Sequence, residues 1–263
     1  MKKPTLLNLV FSLLGACIVL FLLAPLLKML LSSPAVGLRE ALGDSEVRRA
    51  IALSLTCAFW ATLIGTVLGV PLAYLLARRS FPGKHFIEAL VDVPIVIPHP
   101  VAGIALLLVF GRHYFGGEFF SRLGLAFVGD VPGIVIAMLF VSCSFLINAA
   151  RDGFRHVDPR LENVARTLGY GPLRAFLFVT VPLSWRDLLS GAILMWARAI
   201  SEFGAIVILT YNPKVASVLI YDRFTTYGLN YALPPALTLV LLSLAVFALL
   251  RGISLERRPG GAA

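Results

Sequence analysis

The chain has 263 residues, of which 59% are hydrophobic and only 14% charged, and its mean hydropathy is +0.89. A soluble domain usually has about a quarter charged residues, so this composition argues against an ordinary soluble enzyme and excludes a disordered chain. The net charge of +9 is spread over short polar stretches between apolar runs, unlike the basic stripe of a nucleic-acid-binding protein. The composition indicates a protein that crosses a membrane several times.

Six apolar stretches are long enough to cross a bilayer, which takes about 20 mostly apolar residues. They are Thr5–Leu31, Ile51–Ala77, Val91–Phe110, Val131–Ala150, Leu188–Tyr211 and Leu233–Leu250. The expected fold class is therefore an all-α membrane protein with six transmembrane helices. Because neither an internal repeat nor a soluble domain is visible, we expect residues 1–263 to form a single membrane domain.

The first stretch contains Leu14-Gly15-Ala16-Cys17, which resembles the cleavage box of a lipoprotein signal peptide. The apolar run continues past this box as far as Leu27, however, and is long enough to span a membrane. We therefore expect it to be retained as the first transmembrane helix.

The third stretch carries Asp92, three prolines and His99 in its first half. Proline removes a backbone hydrogen bond, so we expect this span to be kinked or interrupted. Such a break is tolerated where neighbouring helices or a water-filled path satisfy the freed carbonyl groups.

Lysine and arginine are distributed unevenly over the connecting segments. The amino terminus, the second and fourth loops and the carboxyl tail hold 14 of the 23, the opposite set holds 8, and Arg198 lies inside the fifth stretch. Since basic loops favour the cytoplasmic side, both termini are expected to be cytoplasmic. The fourth loop, about residues 151–187, is then the largest cytoplasmic feature.

The fourth loop carries the pattern of a short amphipathic helix. Asp158 can cap free backbone amides, Pro159 suits the first helical position, and Gly169 can end the helix. Four apolar residues follow at the spacing of one helical face: Leu161, Val164, Ala165 and Leu168. Three polar residues occupy other faces: Glu162, Asn163 and Arg166. On this pattern alone, the helix docks on a partner, lies in the lipid interface or packs beneath the bundle.

A longer pattern surrounds this helix, in the segment from 157 to 182. The residues that define it are Ala165, Gly169, Val179, Val181 and Pro182. The segment resembles the EAA loop of ATP-binding-cassette (ABC) importer permeases, which reads Glu-Ala-Ala, three residues, Gly, nine residues and Ile-x-Leu-Pro. The Ala, Gly and Pro match this loop, and the two valines are conservative replacements.

The segment departs from the family pattern at Asn163 and Val164, which stand in the Glu and first Ala positions, and Glu162 lies one residue earlier. In the family this segment forms a coupling helix that docks in a groove of the cytoplasmic ATPase subunit. The resemblance therefore implies an ATPase-coupling role for nine residues: Leu161, Glu162, Asn163, Val164, Ala165, Arg166, Leu168, Gly169 and Pro182.

Segments 71–84, 93–105 and 196–205 extend the resemblance over most of the chain. Within the family, the chain is most similar to the molybdate/tungstate permeases, with the sulfate permeases next. The resemblance implies the type I ABC importer permease fold, with two copies of this chain around a two-fold axis. It also implies two ABC ATPase subunits and an extracytoplasmic oxyanion-binding protein as partners.

Arg198 and Glu202 lie four residues apart in the fifth stretch, close enough to pair on one helical face. Charged residues inside a membrane usually face the bundle interior and mark a pathway. With Ser201, Gly204 and His99, they are our hypothesis for a translocation pathway or gate, in which Arg198 keeps the carboxylate from repelling an anion. The alternatives are a structural ion pair that locks two helices, a location on the cytoplasmic side close to the membrane interface and, for His99, a hydrogen-bonded structural role instead of donation to a passing oxyanion.

Several catalytic patterns are absent from the sequence. It contains no Gly-x-x-x-x-Gly-Lys-Ser/Thr nucleotide-binding motif, no His-Glu-x-x-His and no Gly-x-Ser-x-Gly. Its three cysteines all lie in apolar stretches, which suggests neither a disulfide framework nor a metal site. We therefore expect no enzymatic activity, no cofactor and no metal, with ATP hydrolysed by a partner chain.

The sequence thus predicts the permease subunit of an ATP-driven importer of tetrahedral oxyanions, with molybdate or tungstate as cargo, in the cell membrane. A sulfate or thiosulfate permease of the same family is the first alternative, and a stand-alone secondary transporter the second. Lone carriers often have broken helices in corresponding halves, whereas only the third stretch here is expected to be broken. A membrane enzyme would need a catalytic constellation that the sequence lacks.

Overall fold

The computed structural model describes residues 6–32 and 35–255, and every regular element in these ranges is a helix. The α-helices are α1 Leu6–Ser32, α2 Ala35–Gly43, α3 Ser45–Arg78, α4 Lys84–Val96, α5 His99–Phe110, α6 Phe115–Ser121, α7 Val131–His156, α8 Pro159–Thr167, α9 Pro172–Ala175, α10 Val181–Ile200, α11 Gly204–Leu209, α12 Ala216–Tyr227 and α13 Leu229–Leu255. A π-helix, Phe176–Thr180, joins α9 to α10. The all-α fold class is confirmed. Five residues used in the predictions lie outside the described ranges. They are Thr5, which begins the first predicted span, and four basic residues used for orientation: Lys2, Lys3, Arg257 and Arg258.

Five helical segments are long and apolar enough to cross a membrane by themselves. They are Leu6–Ser32, Ser45–Arg78, Val131–His156, Pro172–Ile200 and Leu229–Leu250. The helices α4 and α5 pass the same test together and are bent by 117° at the break between them. Taken as one broken span, this pair brings the number in the described ranges to six, as predicted.

The break in the third span follows from its prolines. Ile97 has extended backbone after the end of α4, and Pro98 precedes the first turn of α5. Proline cannot donate the hydrogen bond that would continue a helix, and it pushes the preceding residue toward extended conformations. The predicted interruption is confirmed.

The prediction for the fifth span, Leu188–Tyr211, is wrong at both ends. The helical segment begins at Pro172 and ends at Ile200, and a separate short helix, α11, follows the break. The cause lies in Glu202, whose Oε1 accepts a hydrogen bond from the backbone N–H of Ala205 at 2.8 Å. This carboxylate therefore accepts from a backbone N–H in the first turn of α11, which in a continuous helix would donate to a carbonyl oxygen of the preceding turn. In the described ranges, the only pair of helices that forms a bent span is α4 with α5, so the expectation that only the third span is broken is confirmed.

The core lies where α3, α7 and α10 cross, and small residues form it. Ala58 and Ala61 of α3 and Ala137 of α7 are fully buried. At Gly65 of α3, an added Cβ would lie 2.3 Å from Cε of Met195 in α10. Small residues at helix crossings allow close approach of helices in membranes, so this pattern specifies the central three-helix packing.

The helix α1 differs from the others because none of its residues is buried. Most of its 27 residues are apolar, and its contacts within this chain are few. Its apolar surface therefore faces lipid or another protein chain.

Candidate functional site

The predicted short helix in the fourth loop is present as α8. The Asp158 carboxylate caps it by accepting a hydrogen bond from the backbone N–H of Arg160 at 2.9 Å. Gly169, two residues beyond the end of α8, has φ +93°, a left-handed conformation that favours glycine and ends a helix. The predicted start and stop of this helix are confirmed.

The predicted apolar stripe of α8 is divided between two faces. Leu161, Val164 and Leu168 are exposed, with 46%, 57% and 75% of their surface accessible, whereas Ala165 is buried against the bundle. Asn163, Arg166 and Gly169 are also exposed, as is Pro182 at the start of α10. An apolar face of α8 thus remains uncovered by this chain.

Glu162 is buried, although the sequence pattern assigns it to a polar face of α8. Its Oε2 accepts a hydrogen bond from Tyr74 Oη at 2.7 Å. Its Oε1 accepts from Arg78 Nε and from Thr180 Oγ1, each at 2.8 Å. Tyr74 and Arg78 belong to α3, and Thr180 ends the π-helix, so one carboxylate connects α8 to two spans.

The network around Glu162 favours the ionised carboxylate. Burial alone raises the pKa of Glu162, but the hydrogen bonds from Tyr74, Thr180 and Arg78 outweigh burial and lower this pKa below its usual value. Sequence reasoning missed Tyr74, Arg78 and Thr180 as partners. They lie 88, 84 and 18 residues from Glu162, and spacing indicates only neighbours on one element.

The predicted pathway residues come together where the start of α5 meets the end of α10 and the start of α11. Arg198 Nη2 donates to Glu202 Oε2 at 2.9 Å and lies 2.7 Å from Nε2 of His99 in α5. Arg198 Nη1 donates to Ser201 Oγ at 3.2 Å. A guanidinium can only donate, so the ring of His99 accepts this bond. The predicted pairing of Arg198 with Glu202 is confirmed, although Glu202 lies in the break beyond α10.

The cluster of Arg198, Ser201, Glu202 and His99 combines one buried charge with accessible neighbours. The Glu202 side chain is fully buried, the Arg198 side chain is mostly buried, and the His99 ring is almost half exposed. Gly204 begins α11 directly against His99, because an added Cβ would lie 2.8 Å from the Cβ of that histidine. The arrangement places a neutralised ion pair behind an accessible imidazole, chemistry suited to a gate or a weak anion contact.

Residues 65–257 match the family model described as "Binding-protein-dependent transport system inner membrane component". The molybdate/tungstate transport system permease protein WtpB of Thermococcus kodakarensis is 47% identical over 92% of this chain and 93% of its own. The same protein of Pyrococcus furiosus is 47% identical over 92% of both chains. The sulfate transport system permease protein CysT of Salmonella typhimurium is 30% identical over 95% of this chain and 91% of its own.

Two solved structures support the fold. A bacterial alginate ABC transporter, crystallised with its periplasmic protein bound to an alginate pentasaccharide, aligns with TM-score 0.74 and 16% identity over 97% of this chain and 96% of its own. An inward-facing methionine ABC transporter aligns with TM-score 0.61 and 15% identity over 79% of this chain and 92% of its own. The fold is that of the type I ABC importer permeases. By its sequence match and its fold, the chain belongs to the family of binding-protein-dependent transport system inner membrane components, the permease subunits of ABC importers.

Proposed function

We propose that this permease carries tetrahedral oxyanions, with molybdate or tungstate as its cargo, and that a partner ATPase drives it through α8. The identity of 47% to two molybdate/tungstate permeases over nearly the whole chain carries the choice of cargo. The identity to a sulfate permease is lower, at 30%. Sulfate or thiosulfate therefore remains the alternative cargo.

The exposed apolar face of α8 is the proposed joint with the ATPase. Leu161, Val164 and Leu168 point away from the bundle, and a row of apolar residues on a short helix fits a groove in a partner. The ATP chemistry resides in that partner, since this chain lacks a phosphate-binding loop. Two ATPase subunits would serve two copies of the permease.

A second copy of this chain and an extracytoplasmic oxyanion-binding protein complete the proposed assembly. The fully exposed apolar surface of α1 supports a location against lipid or the second copy. The bias of basic residues supports a cell-membrane orientation with both termini and α8 on the cytoplasmic side. The binding protein would then dock on the opposite side, near α2, α6 and α12.

The proposed transport cycle alternates between two states of the spans. ATP binding closes the ATPases and draws the two copies of α8 together, which opens the pathway outward, and hydrolysis restores the inward-facing state. Within this cluster, the Arg198–Glu202 pair presents no net charge to the anion. His99 and Ser201, its accessible members, offer weak contacts that allow release.

Co-purification of the permease with the ABC ATPase of the same source tests the joint. We expect Leu161→Asp/Leu168→Asp to lose the ATPase, because two carboxylates on the apolar face cannot be desolvated in a groove. The matched control, Leu123→Asp/Leu125→Asp, puts the same charges on exposed leucines of the loop after α6 and retains the ATPase. A double α8 variant that retains the ATPase fully would refute the proposed joint.

Uptake into proteoliposomes containing the permease, the ATPase and the binding protein tests the cargo. We expect labelled tungstate to enter only with internal ATP, and molybdate but not sulfate to compete at equal concentration. Equal competition by sulfate would favour the sulfate alternative. Uptake by the permease alone without ATP would identify a secondary transporter.

A further inference from the structure

The carboxylate of Glu162 joins the coupling helix to two membrane spans. Three side chains donate to it: Tyr74 at 2.7 Å, Arg78 at 2.8 Å and Thr180 at 2.8 Å. Arg78 also places Nη2 at 2.8 Å from the same Oε1 oxygen. Tyr74 and Arg78 are one helical turn apart near the end of α3, and Thr180 lies in the helical segment of the fifth span.

No other side chain of α8 connects this helix to the bundle through a hydrogen bond or an ion pair in the described part of the chain. Asp158 and Thr167 bond within their own turns. Arg160 and Arg166 form no ion pair with another described helix, and Ala165 contributes only apolar contact. The polar connection between α8 and the spans therefore depends on Glu162.

The receiving side of this connection, the part of the spans around Tyr74 and Thr180, is closely packed. The Tyr74 ring packs edge-on against Phe154 of α7, with ring centroids 5.7 Å apart, and at 4.7 Å from Phe176 of the π-helix. Phe154 and Phe176 also contact each other at 5.8 Å, and Phe154 is fully buried. A π-helix inside a span often occurs at a functional position, and this one contributes both Phe176 and Thr180.

The charge pair between Glu162 and Arg78 is shielded from water. The two side chains are only 12% and 10% exposed, so removal of either charge leaves the other without a partner in a poorly solvated place. The apolar face of α8 points the other way. One short helix therefore presents an apolar face to the proposed ATPase and a single carboxylate to the spans.

We propose that Glu162 is a positioning residue for coupling, which passes displacement of α8 to the second and fifth spans through Tyr74, Arg78 and Thr180. This inference rests on the proposed function, in which an ATPase moves α8. With apolar contact alone, α8 could slide against the bundle when the ATPases close. The three hydrogen bonds to one carboxylate oppose such sliding and make the spans follow.

The number of anions imported per ATP hydrolysed tests this role. Wild type and Glu162→Ala are compared in proteoliposomes with the ATPase and the binding protein, with labelled tungstate as the probe. We expect Glu162→Ala to retain the ATPase on purification and to hydrolyse ATP within about twofold of wild type. Import per ATP falls at least tenfold. The control, Glu88→Gln, alters another carboxylate, which pairs with Arg155 at 3.1 Å and forms no hydrogen bond or ion pair with α8 in the described ranges, and keeps the wild-type ratio.

Variants of the receiving side provide a second measurement that does not alter α8. Tyr74→Phe keeps the ring packing and Thr180→Val keeps the shape, so the double variant removes two donors without a cavity. We expect import per ATP to fall several-fold while the ATPase remains bound.

Three outcomes separate this proposal from the proposed function. A wild-type ratio in Glu162→Ala, or in the double variant if Glu162→Ala does not fold, overturns the positioning role. Loss of the ATPase from folded Glu162→Ala also overturns it, because Glu162 then acts in docking. Failure of the wild-type permease to bind the ATPase overturns the proposed function itself.

Discussion

Gly103 and Gly204 allow α5 and α11 to approach each other closely. A Cβ on Gly103 of α5 would lie 2.8 Å from the backbone oxygen of Ala205 and 2.8 Å from Cβ of Ile208. A Cβ on Gly204 would lie 2.8 Å from Cβ of His99. The contacting atoms are backbone or Cβ atoms, which cannot move aside as a flexible side chain can, so these positions require glycine.

We expect Gly103→Ala to destabilise the permease, because α5 and α11 must separate to admit the methyl group. Overpacking of this kind costs about 1–3 kcal/mol, which corresponds to a midpoint of thermal unfolding lower by roughly 2–10 °C. Thermal unfolding of the purified protein in detergent measures the effect. Gly43→Ala is the control, since no heavy atom lies within 4 Å of its added Cβ. Equal midpoints for the two variants would contradict the close approach.

Individual residues differ in how far the sequence predicts their roles. The Arg198–Glu202 pair follows from spacing, because both partners lie within five residues. The burial of Glu162 does not, because helical periodicity places apolar residues inward and its partners come from distant segments. Helical periodicity therefore predicts an exposed position for a polar residue even where hydrogen bonds from distant segments allow its burial.

At the scale of elements, an ion pair fastens α12 to the start of α3. Arg223 Nη2 donates to Asp44 Oδ2 at 2.6 Å and to Glu46 Oε2 at 2.8 Å. Asp44 also caps α3, because its Oδ1 accepts from the backbone N–H of Glu46 at 2.8 Å. The hydrogen bond from Arg223, aided by backbone N–H groups, lowers the pKa of Asp44 below its ordinary value of 3.8 despite partial burial.

We expect Asp44→Asn to lower the thermal midpoint at pH 7 by about 1–3 °C, because asparagine keeps the cap but loses an ion pair worth about 1 kcal/mol or less. A carboxylate whose pKa is lowered by folding stabilises the folded protein at pH values above its pKa in the unfolded chain. This stabilisation is lost as the pH falls through the pKa of the folded state. The gap between wild type and variant therefore persists from pH 7 to 5 and closes below pH 3.8.

Thermal unfolding at pH 7, 5 and 3 measures this gap. Asp130→Asn is the matched control, because Asp130 caps α7 and forms no ion pair within the described ranges. A gap for Asp44→Asn that does not change with pH would exclude the Arg223 pair as its origin.

The elements follow from the sequence where a local cause exists. The spans follow from apolar length, α8 from its cap and terminating glycine, and the break in the third span from Pro98. The break after the fifth span, at residues 201–203, contains no proline. It depends on Glu202 bonding to Ala205 and on Ser217 of α12 donating to the backbone oxygen of Glu202 at 2.7 Å. The second of these contacts forms only in the folded bundle.

For the whole molecule, the proposed topology of six spans puts both ends of the chain on one side of the membrane. The bias of 14 to 8 basic residues favours the cytoplasmic side for the fourth loop. Leu173 in that loop and Phe115 at the start of α6 are both exposed. They are suited to report which face of the membrane each loop occupies.

We expect Phe115→Cys, in a variant without the three native cysteines, to react with a membrane-impermeant maleimide in intact cells. Leu173→Cys in the same background should react only after the cells are opened, because a basic loop remains in the cytoplasm. The extent of labelling before and after permeabilisation measures both. The reverse pattern would invert the proposed orientation and place α8 out of reach of an ATPase.

The unbroken helix α3 has a mechanical consequence for the assembly. Its 34 residues extend about 51 Å, well beyond the roughly 30 Å hydrocarbon core. Asp44 and Glu46 hold one end to Arg223, while Tyr74 and Arg78 hold the other to Glu162. Between these two ends, Gly65 of α3 packs closely against Met195 of α10. Under the proposed function, a displacement at either end of α3 would therefore reach the opposite face of the membrane through one continuous helix.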